Sequence, residues 1–293
     1  MPDKLKVVTI ATDTENEFLT DYLIPSCAAH NIKLVILKPH STSAWKGFSS
    51  KKTTISRYLQ KVANEDELIL FTDAYDTLIN RDEDYILEVW HKQKKDILFS
   101  GETNCWPMGV IGFALYGQHQ PSTFPYLNSG GYLGRVSSLL NMIKKYSGAP
   151  VTAFPLLKIL QSHGHNVYDQ YWWSDQFYWT LVYLLEREKI GIDHDGAVFE
   201  FLGPIINDMD IKAIVKQEQE YEQVGKIHPL YIKEYARLSV CLAEPSSAAQ
   251  LHFASKIAKC VFVDMKKNGE LPGWLAEKFS QKAEPGYAQV VVV

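Results

Sequence analysis

The sequence predicts an α/β fold with a mostly parallel sheet flanked by helices, and three observations lead there. Over the first hundred residues, short apolar runs alternate with stretches of helical periodicity, the signature of βαβ units. The most apolar of these runs, Glu67 to Thr72, stops directly at an aspartate, as a buried strand does on reaching the carboxyl edge of an open sheet. Finally, 293 residues that are 46% hydrophobic and 12% aromatic suffice for a large core, and no Pro/Gly/Ser-rich linker or charge block divides them. One domain over residues 1–280 is expected, with a less regular C-terminal part and a flexible tail over 281–293.

Taken in order, Leu5 to Ala11 reads as the first strand. Thr14 to His30 is a helix that Pro25 kinks or ends, and Ile32 to Leu37 is a second buried strand. A loop through Trp45-Lys46-Gly47 leads to a helix over Thr54 to Ala63. The strand Glu67 to Thr72 then delivers Asp73 and Asp76 to the sheet edge, where open α/β sheets bind ligands. Asp82 to Lys92 is a helix and Asp96 to Ser100 a strand. Gly101 to Pro125 has the glycine and proline content of a long loop, and long ordered loops in compact domains are often functional. Tyr126 to Arg135 is a strand or turn carrying Asn128-Ser129-Gly130-Gly131, followed by helices over Ser137 to Tyr146 and Trp173 to Glu186. No internal repeat is present.

A formal charge of −4 and a pI near 6.1 argue against nucleic acid as partner, which needs a dense Lys/Arg surface. Short basic clusters at Lys51-Lys52, Lys94-Lys95, Lys144-Lys145 and Lys266-Lys267 read as solvated faces, and only the first falls where a phosphate is expected. Cys27, Cys105, Cys241 and Cys260 form no CxxC pair, which leaves reduced, mostly buried thiols as the expectation. The amino terminus lacks the long apolar stretch and cleavage site of a signal peptide, and no segment reaches the ~20 apolar residues of a membrane span. A cytoplasmic location is the reading.

Asp73-Ala74-Tyr75-Asp76 places two carboxylates around a turn after a buried strand. Such a pair suits a hard cation, Mn²⁺ or Mg²⁺, better than Zn²⁺, which prefers nitrogen and sulfur. Taken alone the motif is weak, because Asp-x-x-Asp after a strand also caps helices. A haloacid-dehalogenase phosphatase would need Asp-x-Asp, one residue shorter.

Further pieces follow in order: Trp45-Lys46-Gly47, Leu98-Phe99-Ser100-Gly101-Glu102 with Cys105-Trp106-Pro107, Tyr126-Leu127-Asn128-Ser129-Gly130-Gly131-Tyr132, Asp175-Gln176-Phe177-Tyr178, and His252 with Pro272-Gly273-Trp274. With the acidic motif, these make the chain resemble the glycosyltransferase domain of multifunctional procollagen lysyl hydroxylases, from Trp45 to Trp274. The resemblance implies a GT-A-type fold, a UDP-glucose or UDP-galactose donor, Mn²⁺, and transfer to a hydroxyl acceptor of protein or glycan. It implies Asp73, Asp76 and His252 as metal ligands, Tyr75 and Trp45 around the uridine, and a lysine, Lys51 or Lys52, at the diphosphate. Trp106 would shield the sugar from water, and Asn128 would meet sugar hydroxyls while Gly130 and Gly131 allow close backbone approach. Asp175 would face the sugar or the acceptor.

Two departures stand out. The family carries a run of aspartates before its Asp-Gln pair, where this chain has Trp172-Trp173-Ser174, and the family's Gly-Asn-Gly after the histidine is replaced by Phe253-Ala254-Ser255. Tyr171, Trp172 and Trp173 form an acceptor platform or belong to the core, with core favoured. Residues after Trp274 are too few for an iron-dependent hydroxylase domain, so a stand-alone transferase is expected. A degenerate protein that binds a nucleotide sugar or glycan without turnover is the alternative.

Overall fold

The structure, a computed structural model, describes residues 4–40, 49–62, 64–117, 122–204, 211–279 and 286–293. Its main sheet has seven strands: β1 (Leu5–Ile10), β2 (Leu34–Lys38), β3 (Leu68–Thr72), β5 (Ile97–Glu102), β6 (Tyr126–Arg135), β7 (Ile190–Asp193) and β10 (Ala288–Val292), in the order β10-β2-β1-β3-β6-β5-β7. β10, β2, β1 and β3 run parallel, β6 is antiparallel to both its neighbours, and β5 and β7 pair in parallel. A second, three-stranded sheet joins β4 (Thr77–Ile79), β9 (Gln250–His252) and β8 (Phe199–Phe201) in the order β4-β9-β8.

Alternation along the central strands sends side chains to two cores, as the pleat requires. Val8, Ile69, Phe71, Phe99 and Tyr132 pack on one face with Trp179 from the helix Asp175–Leu185; Val7, Leu34, Leu68, Leu70 and Leu98 pack on the other. Phe71 and Tyr132 stack across β3 and β6 at 4.7 Å and 11°. The helices Pro229–Cys241 and Lys256–Lys267 close a third core over the small sheet, through Leu238, Leu251, Phe253 and Phe262.

Several elements differ from the sequence reading. Pro25 does not end its helix: a wide turn over Leu19–Leu23 precedes it, with the Ile24 amide reaching back to the Leu19 carbonyl, which relieves the clash a proline makes with a regular preceding turn. The loop Gly101 to Pro125 contains a helix, Val110–Tyr116, set between positive-φ Gly109 and Gly117 and tied to β6 by the Leu127 amide donating to the Tyr116 hydroxyl at 2.9 Å. In place of a flexible tail, Ala288–Val292 forms the edge strand of the sheet. Its β-branched run suits a strand, and Val293 continues the ladder with its amide on the Lys38 carbonyl at 3.0 Å. Cys27 and Cys105 are buried and Cys241 is exposed, all as free thiols. Among the described residues no helix is long and apolar enough to cross a membrane.

Trp179 joins the helix Asp175–Leu185 to the sheet, with its ring 5.0 Å from Phe99 and 6.1 Å from Tyr132. Trp179→Ala is expected to cost about 3–5 kcal/mol, read from the urea midpoint. A loss below about 1 kcal/mol would mean the helix is held by other contacts.

Candidate functional site

Asp73 and Asp76 flank the turn between β3 and β4. The turn is pinned from several sides: the Asp73 amide donates to the Gly130 carbonyl at 2.9 Å, and the hydroxyls of Thr72 and Thr77 meet beneath it. β4 pairs antiparallel with β9 in a register that sets Thr77 opposite His252, and the Phe253 amide donates to the Asp76 carbonyl at 2.8 Å. That register delivers the imidazole to the carboxylates: His252 Nε2 lies 3.6 Å from Asp76 Oδ1, and donor atoms of Asp73, Asp76 and His252 all fall within 4.8 Å of one another. His252 is buried, and its Nδ1 has no hydrogen-bond partner among the described residues. Two carboxylates and one imidazole form an oxygen-rich donor set that fits Mn²⁺ or Mg²⁺.

Gly130 and Gly131 on β6 are the floor under this cluster. A β-carbon at Gly130 would stand 2.2 Å from His252 Cε1, and one at Gly131 would stand 2.4 Å from Gln250 Oε1. Neither has positive φ, so the requirement is for space and not for backbone conformation. The register of β6 against β5 shifts between Phe99 and Ser100, which frees Ser129 and its neighbours from β5.

The Lys51 ammonium meets Asp73 Oδ1 at 2.6 Å, with both side chains mostly buried. Burial works against its charge, but the carboxylates of Asp175, Asp73 and Asp76 outweigh it and hold the ammonium above the ordinary lysine range. Asp175, only 5% exposed at the start of its helix, is pushed up to about 6 by burial and by Asp73, against the opposing pull of Lys51 and a hydrogen bond from Ser129. For Asp76 burial is likewise unfavourable, yet His252, Lys259 and Lys51 hold its carboxyl below the usual carboxylate range.

Behind Asp175 lies a buried network. Gln176 Nε2 donates to Glu102 and to the Trp106 carbonyl at 2.9 Å, and Gln176 Oε1 accepts from the Ser129 amide at 3.3 Å. Asn128 accepts from the Gly130 amide at 2.7 Å and donates to Glu102 at 3.4 Å, so both ends of its side chain are engaged within the protein. Burial pushes the Glu102 carboxyl up to about 8, leaving it largely neutral at physiological pH.

Of the two candidate lysines, only Lys51 joins the cluster. Lys52 points elsewhere, because consecutive residues of the helix Ser49–Leu59 project about 100° apart; its ammonium lies 4.2 Å over the Tyr178 ring and donates to the Ser147 carbonyl. The Tyr75 hydroxyl accepts from the Asp13 amide at 2.8 Å, tying the acidic turn to the loop after β1. Trp45 lies outside the described residues. Trp106 is half-buried with its ring edge-on to Trp173 at 6.2 Å. The core expectation for the neighbouring aromatics holds only for Tyr171, which is buried; Trp172 is 44% exposed, because the short helix Val167–Tyr171 turns it outward.

Sequence reasoning missed Ser129, Glu102 and Lys259 as members of the site. Ser129 and Glu102 lay within quoted motifs without an assigned role, and Lys259 carried no signal beyond being one charge on an amphipathic helix.

The raised Asp175 carboxyl has a consequence for stability. Its folded value lies above the unfolded one, so its stabilising contribution is full below the ordinary aspartate range and is lost as pH rises through about 6. Asp175→Asn removes this dependence. In metal-free buffer its urea midpoint is expected to rise relative to wild type between about pH 4 and pH 7.5; a constant difference would show that the carboxyl is not held up by burial.

A family model described as the PLOD GT domain matches residues 1–152. Among curated proteins, the chain is 28% identical over 229 residues to a procollagen-lysine,2-oxoglutarate 5-dioxygenase of Drosophila melanogaster, covering 74% of this chain and 28% of that protein. It is 26% identical over 226 residues to a multifunctional procollagen lysine hydroxylase and glycosyltransferase of Caenorhabditis elegans, covering 71% and 27%. The chain thus spans little more than a quarter of the length of these relatives. Solved structures similar to it include mouse xyloside xylosyltransferase 1, at TM-score 0.46 and 11% identity over 87% of this chain and 98% of that one. Another is the glycosyltransferase GlyE of Streptococcus pneumoniae, at TM-score 0.42 and 12% identity over 96% and 65%. The matched half of the chain carries the acidic turn and the glycine floor, and the chain belongs to the family of procollagen lysyl hydroxylase glycosyltransferase domains.

Proposed function

We propose that the chain transfers glucose or galactose from a UDP-sugar to a hydroxyl of a protein or glycan, with a divalent cation held by Asp73, Asp76 and His252. The observation that carries this reading is the convergence of those three side chains at the carboxyl edge of β3, beside Lys51 and the buried Asp175. Mn²⁺ bound there would neutralise charge on the departing diphosphate as a Lewis acid.

The chain's own groups supply the rest. Lys51, now on Asp73, is a buried cation placed to pair with a phosphate oxygen once the donor enters. Tyr75, braced by Asp13, offers a fixed ring to the uracil, with Trp45 on the same donor. Trp106, its carbonyl held by Gln176, is placed to keep water from the transferred sugar. Asp175, clamped between Ser129 and Lys51, presents a carboxylate to the sugar or the acceptor above about pH 6. Asn128 positions the β6 segment through Gly130.

The test is UDP release from UDP-glucose and UDP-galactose with Mn²⁺. EDTA and the double substitution Asp73→Ala, Asp76→Ala should each lower the rate by about a hundredfold or more. Release that survives both treatments would remove the metal from the reading, and no release from either donor would favour a protein that binds without turnover. Gly130→Ala should act at one remove: its methyl group displaces the His252 ring, lowering Tm by about 2–10 °C and weakening the stabilisation by added Mn²⁺. An unchanged Mn²⁺ response in that variant would take His252 out of the metal set.

A further inference from the structure

The helix Val167–Tyr171 runs on into Trp172, whose amide bonds to the Tyr168 carbonyl at 2.8 Å. Tyr168 and Trp172 are therefore about one helical turn apart on the same face, about 6 Å along the axis. Both are open to solvent, at 49% and 44%. The next residue, Trp173, turns inward and sets its ring edge-on to Trp106. The Trp106 carbonyl in turn accepts from Gln176 Nε2 at 2.9 Å, and Gln176 directly follows Asp175 in the helix Asp175–Leu185. The aromatic surface is thus continuous with the rim of the reaction site.

Large aromatic rings left in water need a reason when they cluster. Here the rings are interleaved with polar groups, Asn166, Asp169 and Gln170, and not joined into one greasy patch. That pattern suits an amphipathic ligand with a flat apolar face and a hydroxylated edge, which describes a pyranose ring: its axial C–H groups lie on the negative face of an aromatic ring while its hydroxyls reach the polar fringe. A proline-rich peptide would also use flat rings with indole N–H donors for its carbonyls; at the inner end the Trp173 indole already donates to the Gln170 carbonyl at 2.9 Å, which disfavours such a ligand there.

We infer that Tyr168, Trp172 and Trp173 form an acceptor subsite that binds consecutive sugar rings of a neutral oligosaccharide. The inference rests on the glycosyltransferase reading and deepens it, since it names the acceptor as a glycan chain and not a bare side-chain hydroxyl. Trp173 and Trp106 close the inner end, so that a terminal sugar hydroxyl points toward Asp175 while the preceding ring lies on Trp172 and Tyr168.

The test applies the full chain to an array of neutral and acidic oligosaccharides and of proline-rich and hydroxylysine-containing peptides. Titration of the best neutral glycan follows, read by tryptophan fluorescence. Wild type should retain neutral glycans, and Trp172→Ala and Tyr168→Ala, both on the surface, should weaken binding roughly tenfold or more each. In turnover they should raise the acceptor KM by a similar factor with kcat nearly unchanged, and leave acceptor-free UDP release from the donor untouched. Retention of no neutral glycan, or equal retention by the variants, overturns the subsite. So does loss of peptide binding in place of glycan binding. Absence of UDP release from any donor would instead defeat the transferase reading, while glycan retention on the array still reports on the aromatic surface.

Discussion

The structure depends most on the pairing of β4 with β9. Without it Asp73 and Asp76 would be an acidic turn at a sheet edge, of a kind that caps helices in many proteins. With it, a histidine from far along the sequence is set opposite Thr77 and its ring enters the same space. β9 is in turn held by β8, through the Leu202 amide on the His252 carbonyl, and is covered by the helix Lys256–Lys267. The C-terminal region thus supplies the imidazole and also the scaffold that aims it, and the small sheet is the rigid element on which the cluster is built.

A second constraint is charge. Asp73, Asp76 and Asp175 bring three carboxylates into one partly buried region, and like charges so placed oppose one another unless cations compensate. Lys51 sits on Asp73 and Lys259 supports Asp76, while Asp175, raised first by burial and then by Asp73, is only partly offset by Lys51. The site is therefore electrostatically prepared for more positive charge. The hydrogen bonds of Gln176 and Asn128 do not add to this imbalance, because their partner Glu102 is kept largely neutral by burial. A neutral acid there lets the network brace β6 and the Trp106 loop without adding a fourth anion to the three carboxylates.

Much of the sheet was legible because its strands are long apolar runs with clear ends: Tyr126–Arg135 falls where expected, and β1, β3 and the helix Glu83–Lys92 are off by a residue or so. The carboxyl-edge position of Asp73 followed directly from the end of β3. What the sequence hid depended on distant contacts. Val110–Tyr116 reads as loop because its helix is short, bounded by glycines, and stabilised by burial of Tyr116 and not by propensity. The roles of Gly130 and Gly131 pointed to a ligand, yet the nearest atoms at both belong to His252 and Gln250, which only the folded chain brings there. Lys51 and Lys52 could not be separated until the helix phase was known.

The aromatic replacements fit the same division of labour. The cluster of Asp73, Asp76, His252 and Lys51 comes from the ends of β3 and β9, the turn after β3 and the helix Ser49–Leu59, elements held by strand pairing and buried polar contacts. The segment 166–173 is attached differently: it is a short helix on the rim, anchored by Val167 and Tyr171, and its outward residues carry little of the core. Its inward residues pack on Met108 and Phe177, and Trp173 meets Trp106 edge-on, whereas Tyr168 and Trp172 face solvent. Under the proposed transferase reading, a change from carboxylates to indoles at Trp172 and Trp173 bears on the acceptor and spares Asp73, Asp76, His252, Lys51 and the glycine floor.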